Sequence, residues 1–237
     1  YVAYRDFANG GKATVKKFSG GVWSNYGPAA FSSGPTESQS LVFDSSGILY
    51  IAFQDWGNSG STTVMKYNGA SWVNVGSPAF SANASNQSIA ISSSGTPYVI
   101  FFETLNNQVT VKKFNGTSWV SVGTPFIGAR VSGRSIAIDS GGTPYVVFKN
   151  NSPGFTDVKK FNGTSWVNVG SIPTSTFSTE YHSIAIDSND KPIICYSLSG
   201  TALVKKFDGT NWITLGGSVA TNAYYCSLAL DSSDTPY

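Results

Sequence analysis

One stretch returns along the whole chain, and its spacing limits the possible folds more than any other feature. Its most regular part reads SLVFDSSGILYIAF at 40–53, SIAISSSGTPYVIF at 88–101, SIAIDSGGTPYVVF at 135–148, SIAIDSNDKPIICY at 183–196 and SLALDSSDTPY at 227–237. The chain opens on YVAY, the piece that the last copy lacks. Matching Tyr1, Tyr50, Tyr98, Tyr145, Ile193 and Tyr237 gives steps of 49, 48, 47, 48 and 44 residues. A second string follows each copy: VKKFSGGVWSNYG, VMKYNGASWVNVG, VKKFNGTSWVSVG, VKKFNGTSWVNVG and VKKFDGTNWITLG. The repeats run over about 1–49, 50–97, 98–144, 145–192 and 193–237.

Each repeat reads as four short strands. In SIAID small and branched residues alternate, as a period of two requires, and a polar turn leads into PYVVF or its equivalents as the second strand. VKKF is the third strand, NGTS or DGTN a tight turn, and WVNV the fourth. Helical periodicity is absent. Four strands repeated at this period predict an all-β chain, a five-bladed β-propeller of four-stranded antiparallel blades forming one domain over 1–237. The chain starts within a second strand and stops after a first one, so residues 227–231 are expected to complete the sheet begun by residues 1–27 and close the ring. A segment of a longer, six- to eight-bladed propeller is the alternative.

The two halves of the repeat carry resemblances. SIAIDSSGTPYVxF resembles the strand pair of NHL-type repeats, and FNGTSWVNVG, an aromatic, a glycine turn and a tryptophan, resembles kelch-type repeats, although most copies lack the kelch double glycine. Five units of this size are similar in architecture to five-bladed lectins of the tachylectin-2 type. The resemblance covers the whole chain and implies a fold rather than an activity.

Charge excludes some partners. Charged residues are 12% of the chain, about half the usual ~25%, and the net charge is +2. Nothing here selects nucleic acid, and no run is apolar enough for membrane insertion. Two cysteines, Cys195 and Cys226, are too few for a disulfide framework, and with one histidine a zinc site is not expected. The DSSG turns lack the alternating oxygen ligands of a calcium loop, so no metal and no cofactor is expected. Asp44, Asp139, Asp187 and Asp231 are assigned instead to Asx-type turns. Low charge and polar turns point to an extracellular or cell-surface protein.

Strand alternation sorts the loops onto two rims. One carries the repeated DSSGTP and NGTSW turns. The other carries the turns between second and third strands and the loops between repeats, which vary freely, and variable loops on a rigid scaffold are where binding usually resides. On that rim Asp6, Asp55, Glu103 and Asn150 end the second strand in four repeats, to cap backbone amides or to bind ligand. Phe7 and Trp56 follow two of them. Before the first strands come Gln39, Gln87, Arg134, His182 and Cys226, preceded in two repeats by Tyr181 and Tyr225, and this series is expected to ring the mouth of a central channel. Trp23, Trp72, Trp119, Trp166 and Trp212 recur in every repeat and are assigned to packing against the next blade. The lysine pairs are assigned to a solvated outer edge.

These features favour a non-enzymatic module that binds a glycan or another protein, most plausibly through saccharide hydroxyls. A structural repeat within a larger surface or filament protein is the alternative. A glycoside hydrolase would need two converging carboxylates. Glu37 and Glu180, placed in loops, are the nearest candidates, and the first strands are expected to contribute no inward acid before their terminal Asp. Ring closure has a direct test. Deleting residues 225–237 should leave an open sheet edge and a chain that aggregates; a truncated chain that stays monomeric with an unchanged melting temperature would contradict it.

Overall fold

The computed structural model describes residues 1–127, 133–150, 155–172 and 179–237. Five antiparallel sheets follow one another along the chain. The first has three strands, β1 (Val2–Asp6), β2 (Lys12–Ser19) and β3 (Val22–Asn25). The second has β4 (Thr36–Phe43), β5 (Leu49–Asp55), β6 (Ser61–Tyr67) and β7 (Trp72–Asn74). The third has β8 (Ala84–Ile91), β9 (Pro97–Glu103), β10 (Gln108–Phe114) and β11 (Trp119–Ser121), with β12 (Phe126–Ile127) added against β10. The fourth has β13 (Ser135–Ile138), β14 (Pro144–Lys149), β15 (Thr156–Phe161) and β16 (Trp166–Asn168). The fifth has β17 (Thr179–Ile186), β18 (Pro192–Leu198), β19 (Thr201–Phe207) and β20 (Trp212–Thr214). The chain divides into two compact units, residues 1–106 with 112–121, and residues 107–111 with 122–237.

The central residues of β5, β9, β14 and β18 are apolar and buried because both faces of these strands are covered. In β5, Leu49, Ile51 and Phe53 pack with Val15, Met65 and Trp72, while Tyr50 and Ala52 on the opposite face pack with Val99, Phe101 and Trp119. In the second unit Ile194 and Tyr196 of β18 pack with Tyr145, Val147 and Trp212, and Ile193 and Cys195 occupy the other face. Serines of the first strands reach the following repeat: Ser40 Oγ accepts from the Ile89 N–H of the next sheet at 3.2 Å, and Ser183 Oγ from the Leu228 N–H at 3.1 Å.

The tryptophans reach back to the preceding sheet rather than on to the next. Trp72, Trp119, Trp166 and Trp212 donate their indole N–H to the carbonyls of Tyr26, Val75, Val122 and Val169, at 3.3, 2.7, 2.8 and 2.7 Å. Each of those carbonyls precedes a glycine at positive φ, Gly27, Gly76, Gly123 and Gly170. A Cβ there would stand 2.6–2.7 Å from the ring of Tyr67, Phe114, Phe161 or Phe207, so a side chain has no room. Trp23 differs, being half exposed beside Phe18 at a centroid distance of 5.4 Å.

The aspartate turns form as expected. Asp44 Oδ1 accepts from Ser46 and Ile48 N–H, Asp187 Oδ1 from Asn189 and Lys191, and Asp231 Oδ1 from Ser233 and Thr235. Ser92 substitutes in the third sheet, accepting from Thr96 N–H. In the last two turns the glycine gives way to Asp190 and Asp234, which staple sheets by accepting from Ser140 N–H at 2.8 Å and Ser188 N–H at 2.9 Å. The lysine pairs are less solvated than expected. Lys112 reaches the Phe80 carbonyl, Lys205 reaches Thr214, and Lys66 and Lys160 lie over the rings of Tyr50 and Tyr145.

Residues 227–231 form no ladder. Leu230 makes an isolated bridge to Pro236, and Ala229 and Tyr237 exchange backbone bonds at 3.1 and 2.9 Å. The ring closure expected from register stands as a proposal. The tryptophan clamp is directly testable by thermal and denaturant unfolding. Trp119→Ala should cost about 3–5 kcal/mol, because a buried ring is lost and a carbonyl is left unpaired, whereas Trp23→Ala should cost under ~1 kcal/mol.

Candidate functional site

The edge of each sheet that carries the turn between second and third strands is built by local chemistry. Asp6 and Asp55 lead into short 3-10 turns, Phe7–Asn9 and Trp56–Asn58, and their carbonyls accept from Gly11 and Gly60 N–H at 2.8 and 2.9 Å. Their carboxylates face into the turn. Asp6 accepts from Asn9 Nδ2 at 2.8 Å and Thr14 Oγ1 at 3.0 Å. Asp55 is 2% exposed and accepts from Asn58 Nδ2, Gly57 N–H and Ser33 Oγ, the last from the loop that precedes β4. Hydrogen bonds from Asn9 and then Thr14 outweigh desolvation and hold the Asp6 carboxyl below its ordinary 3.8. Glu103 accepts from Asn106 Nδ2 at 3.0 Å, and Asn150 Oδ1 accepts from Phe155 N–H at 3.1 Å. Asp55 and Asn150 thus accept backbone amides, whereas Asp6 and Glu103 accept from the side chains of Asn9 and Asn106. Residues 151–154, and parts of two variable loops at 128–132 and 173–178, lie outside the described residues.

The series before the first strands turns inward. The first strands begin earlier than the sequence implied, at Thr36, Ala84 and Thr179, and each is interrupted by a bulge. Ser38, Asn86 and Tyr181 occupy the bulges at φ 53, 54 and 54°, and Tyr225 has φ 61°. The residue after each bulge points into the interior. Gln87 Nε2 donates to Thr62 Oγ1 and the Ala84 carbonyl. His182 is 4% exposed, with Nε2 3.0 Å from Thr156 Oγ1 and Nδ1 3.0 Å from the Gly133 carbonyl. Arg134 is buried as well, and burial lowers its guanidinium to about 10. His182 and Arg134 are thus interior instead of lining an exposed mouth. The neighbour His182 meets there, Thr156 on the third strand of the preceding sheet, could not be read from local sequence.

Surface groups remain beside these turns in both units. In the first, Phe7 is 78% exposed, with the Arg5 guanidinium 4.9 Å from its centroid, and Arg5 Nη1 lies 2.8 Å from Glu37 Oε1. Trp56 is 46% exposed, and its backbone N–H donates to the Pro35 carbonyl at 2.9 Å. Gly34 and Gly57 permit that approach, since a Cβ on Gly34 would fall within van der Waals radius of the Gly57 nitrogen. In the second unit the Tyr181 and Tyr225 rings lie 4.2 Å apart, and Tyr224 stands edge-on to Tyr181 at 6.2 Å. A hydrogen bond with Tyr225 raises the Tyr181 phenol above its ordinary 10. Glu180 Oε1 is 3.8 Å from Lys149 Nζ, and a cleft of about 230 Å³ is lined by Glu180, Ser197, Ser199, Gly200 and Tyr224.

Glu37 and Glu180 hold equivalent places on β4 and β17, opposite Gln54 and Ser197. Both were expected in loops and lie instead on first strands, with their side chains 47% and 40% exposed, and each is matched by a cation from the second strand of the preceding sheet. Among the described residues no group of three or more His, Cys, Asp or Glu is placed to hold a metal ion. Nor is any helix among them long and apolar enough to cross a membrane.

No family model and no curated protein matches the chain. Solved structures do. A lectin from Aleuria aurantia in complex with Fucα1-6GlcNAc is similar at TM-score 0.61 and 15% identity, over 82% of this chain and 68% of that one. A Dyadobacter fermentans protein of unknown function is similar at TM-score 0.62 and 12% identity, over 93% and 77%. An ulvan lyase is similar at 0.59 and 13%, over 92% of this chain and 63% of the lyase, so the chain spans less than two thirds of that enzyme. With the five sheets, these likenesses show the fold to be that of a β-propeller.

The interior histidine supplies a test of the packing. Burial, together with the nearby charges of Arg134 and Lys149, outweighs the bond to Gly133 and lowers His182 from 6.5 to about 4. The folded state then binds fewer protons than the unfolded one between those values. The His182 contribution to stability is complete above pH 6.5 and is lost as pH falls through about 4, on the order of 3 kcal/mol. His182→Gln, which installs the residue that Gln39 and Gln87 already provide at equivalent positions, should flatten the pH dependence of denaturant midpoints over that range.

Proposed function

We propose that the chain is a non-enzymatic binding module for neutral saccharides, working at the turn edges that carry Phe7, Trp56, Tyr181 and Tyr225. The observation that carries this reading is that large rings are exposed in turns that do not require them. Positions equivalent to Phe7 and Trp56 hold Thr104 and Ser199 in other repeats, so the turn forms without an aromatic side chain. A sugar ring presents apolar C–H faces and a rim of hydroxyls. Exposed Trp, Tyr and Phe faces match the first, and half-exposed carboxylates with adjacent cations match the second. Glu37 and Glu180 side chains are 47% and 40% exposed, each with one oxygen engaged by a cation. The inward-facing Asp6, Asp55, Arg134 and His182 act in this reading by holding the edge in shape.

That a lectin in complex with Fucα1-6GlcNAc shares the fold supports a carbohydrate ligand, while the lyase neighbour shows that related folds also carry catalysis. The non-catalytic reading is supported here by the pairing of Glu37 and Glu180 with cations, which suits hydrogen bonding more than proton transfer. A glycan or glycoprotein on a cell surface is the corresponding partner, and an extracellular setting belongs to the same proposal.

A glycan array followed by titration of the best ligand tests it. Trp56→Ala should leave the melting temperature nearly unchanged and weaken binding roughly 5- to 150-fold, the equivalent of about 1–3 kcal/mol, if the ligand lies in the first unit. Tyr224→Ala does the same for the cleft beside Glu180. A Trp56→Ala chain that melts as early as Trp166→Ala would make Trp56 a packing residue. An array without ligand, or binding unaffected by either substitution, would overturn the proposal.

A further inference from the structure

Cys195 and Cys226 take no part in the turns or the exposed rings. Cys195 sits in the middle of β18, opposite Ser183 and Val204, and is 7% exposed. Cys226 follows Tyr225, is half-buried, and packs with Leu215, Leu228 and Leu230 against Ile193, Cys195 and Val204. The two thiols thus belong to one apolar cluster on this face of β18.

The position of Cys226 in the repeat sharpens its meaning. At two other places in that column stand Gln87 and His182, which reach the hydroxyls of Thr62 and Thr156 on the third strand of the sheet before, while Gln39 donates to Thr36 of its own strand. In the fifth sheet the corresponding residue is Ala202, which has no hydroxyl to offer. The polar tie found at two earlier junctions is thus replaced by a pair of thiols. Residues 219–230 are held to the fifth sheet outside any ladder, by Val219 N–H to Ala202 O and Ala202 N–H to Ala220 O, both at 2.9 Å, Ala223 N–H to Gly200 O at 2.7 Å, Ser197 Oγ to Ala223 O at 2.8 Å and Leu228 N–H to Ser183 Oγ at 3.1 Å.

We infer that Cys195 and Cys226 form a reversible disulfide that latches residues 219–230 onto the fifth sheet. The oxidant class is a small-molecule disulfide such as oxidised glutathione. The more accessible Cys226 thiolate attacks one of its sulfurs, forming a mixed disulfide and releasing one glutathione thiolate. Cys195 then gives its proton to water, attacks the Cys226 sulfur and expels the second glutathione. Two protein thiols lose two protons and two electrons, and one glutathione disulfide becomes two thiols. Burial holds the Cys195 thiol up at about 12, which makes the second step the slow one.

Incubating the chain with oxidised glutathione at mild alkaline pH, quenching with iodoacetamide and measuring the intact mass tests the latch. The expected product is a monomer two hydrogens lighter, with no alkylatable thiol and a melting temperature raised by roughly 5–10 °C, both reversed by dithiothreitol. Cys195→Val, which installs the residue found at Val147, should arrest the reaction at one glutathione on Cys226. A wild-type chain that keeps two alkylatable thiols, stops at the glutathione adduct, or forms disulfide-linked dimers overturns the inference. These readouts follow the covalent bond alone, so they stand or fall separately from saccharide binding.

Discussion

Each clamped junction between successive sheets depends on one bond, the indole N–H of a fourth-strand tryptophan donated to a carbonyl of the sheet before. A buried indole N–H without an acceptor would cost free energy, and so would the carbonyl, which lies just past the end of its own fourth strand. Bringing them together satisfies both. It also sets the spacing between sheets, because the ring on the third strand must then lie flat on the glycine that follows the carbonyl. The repeated W and G of the sequence are two halves of one contact, contributed by different repeats. The contact helps explain why both faces of β5 and β18 are covered by apolar side chains.

A second economy operates in the turns. Polar side chains there are largely occupied: Asp44, Asp187 and Asp231 close their own turns, Asp55 holds the loop before β4, and Asp190 and Asp234 staple one turn to the next. On the edge between second and third strands, Asp55 is likewise committed, while the rings of Phe7 and Trp56 face solvent.

The role of the residues after each bulge follows from the same logic. A bulge inserts one residue and turns the next one inward, so Gln87 and His182 become buried polar groups that need partners, and the third strand of the preceding sheet supplies a threonine hydroxyl for each. His182 stays neutral there because its surroundings are desolvated and positively charged. Where the partner threonine becomes Ala202, the corresponding residue is Cys226, a small group that is content without a hydroxyl and free to meet Cys195.

The repeat spacing, the alternation within SIAID, the Asx turns and the glycines after WVNV were legible in the sequence, because each rests on interactions within a few residues of one another and needs no knowledge of neighbours. The same local rules placed Asp6, Asp55, Glu103 and Asn150 at the ends of second strands and gave them capping as one reading. Only the tertiary structure decided that the tryptophans reach backward, that Glu37 and Glu180 lie on strands and pair with Arg5 and Lys149, and that His182 and Arg134 are interior while Phe7, Trp56 and Tyr225 face solvent. Those outcomes depend on which side chain of one repeat meets which backbone of another, over separations of 32 to 49 residues. A single repeat carries no record of that meeting.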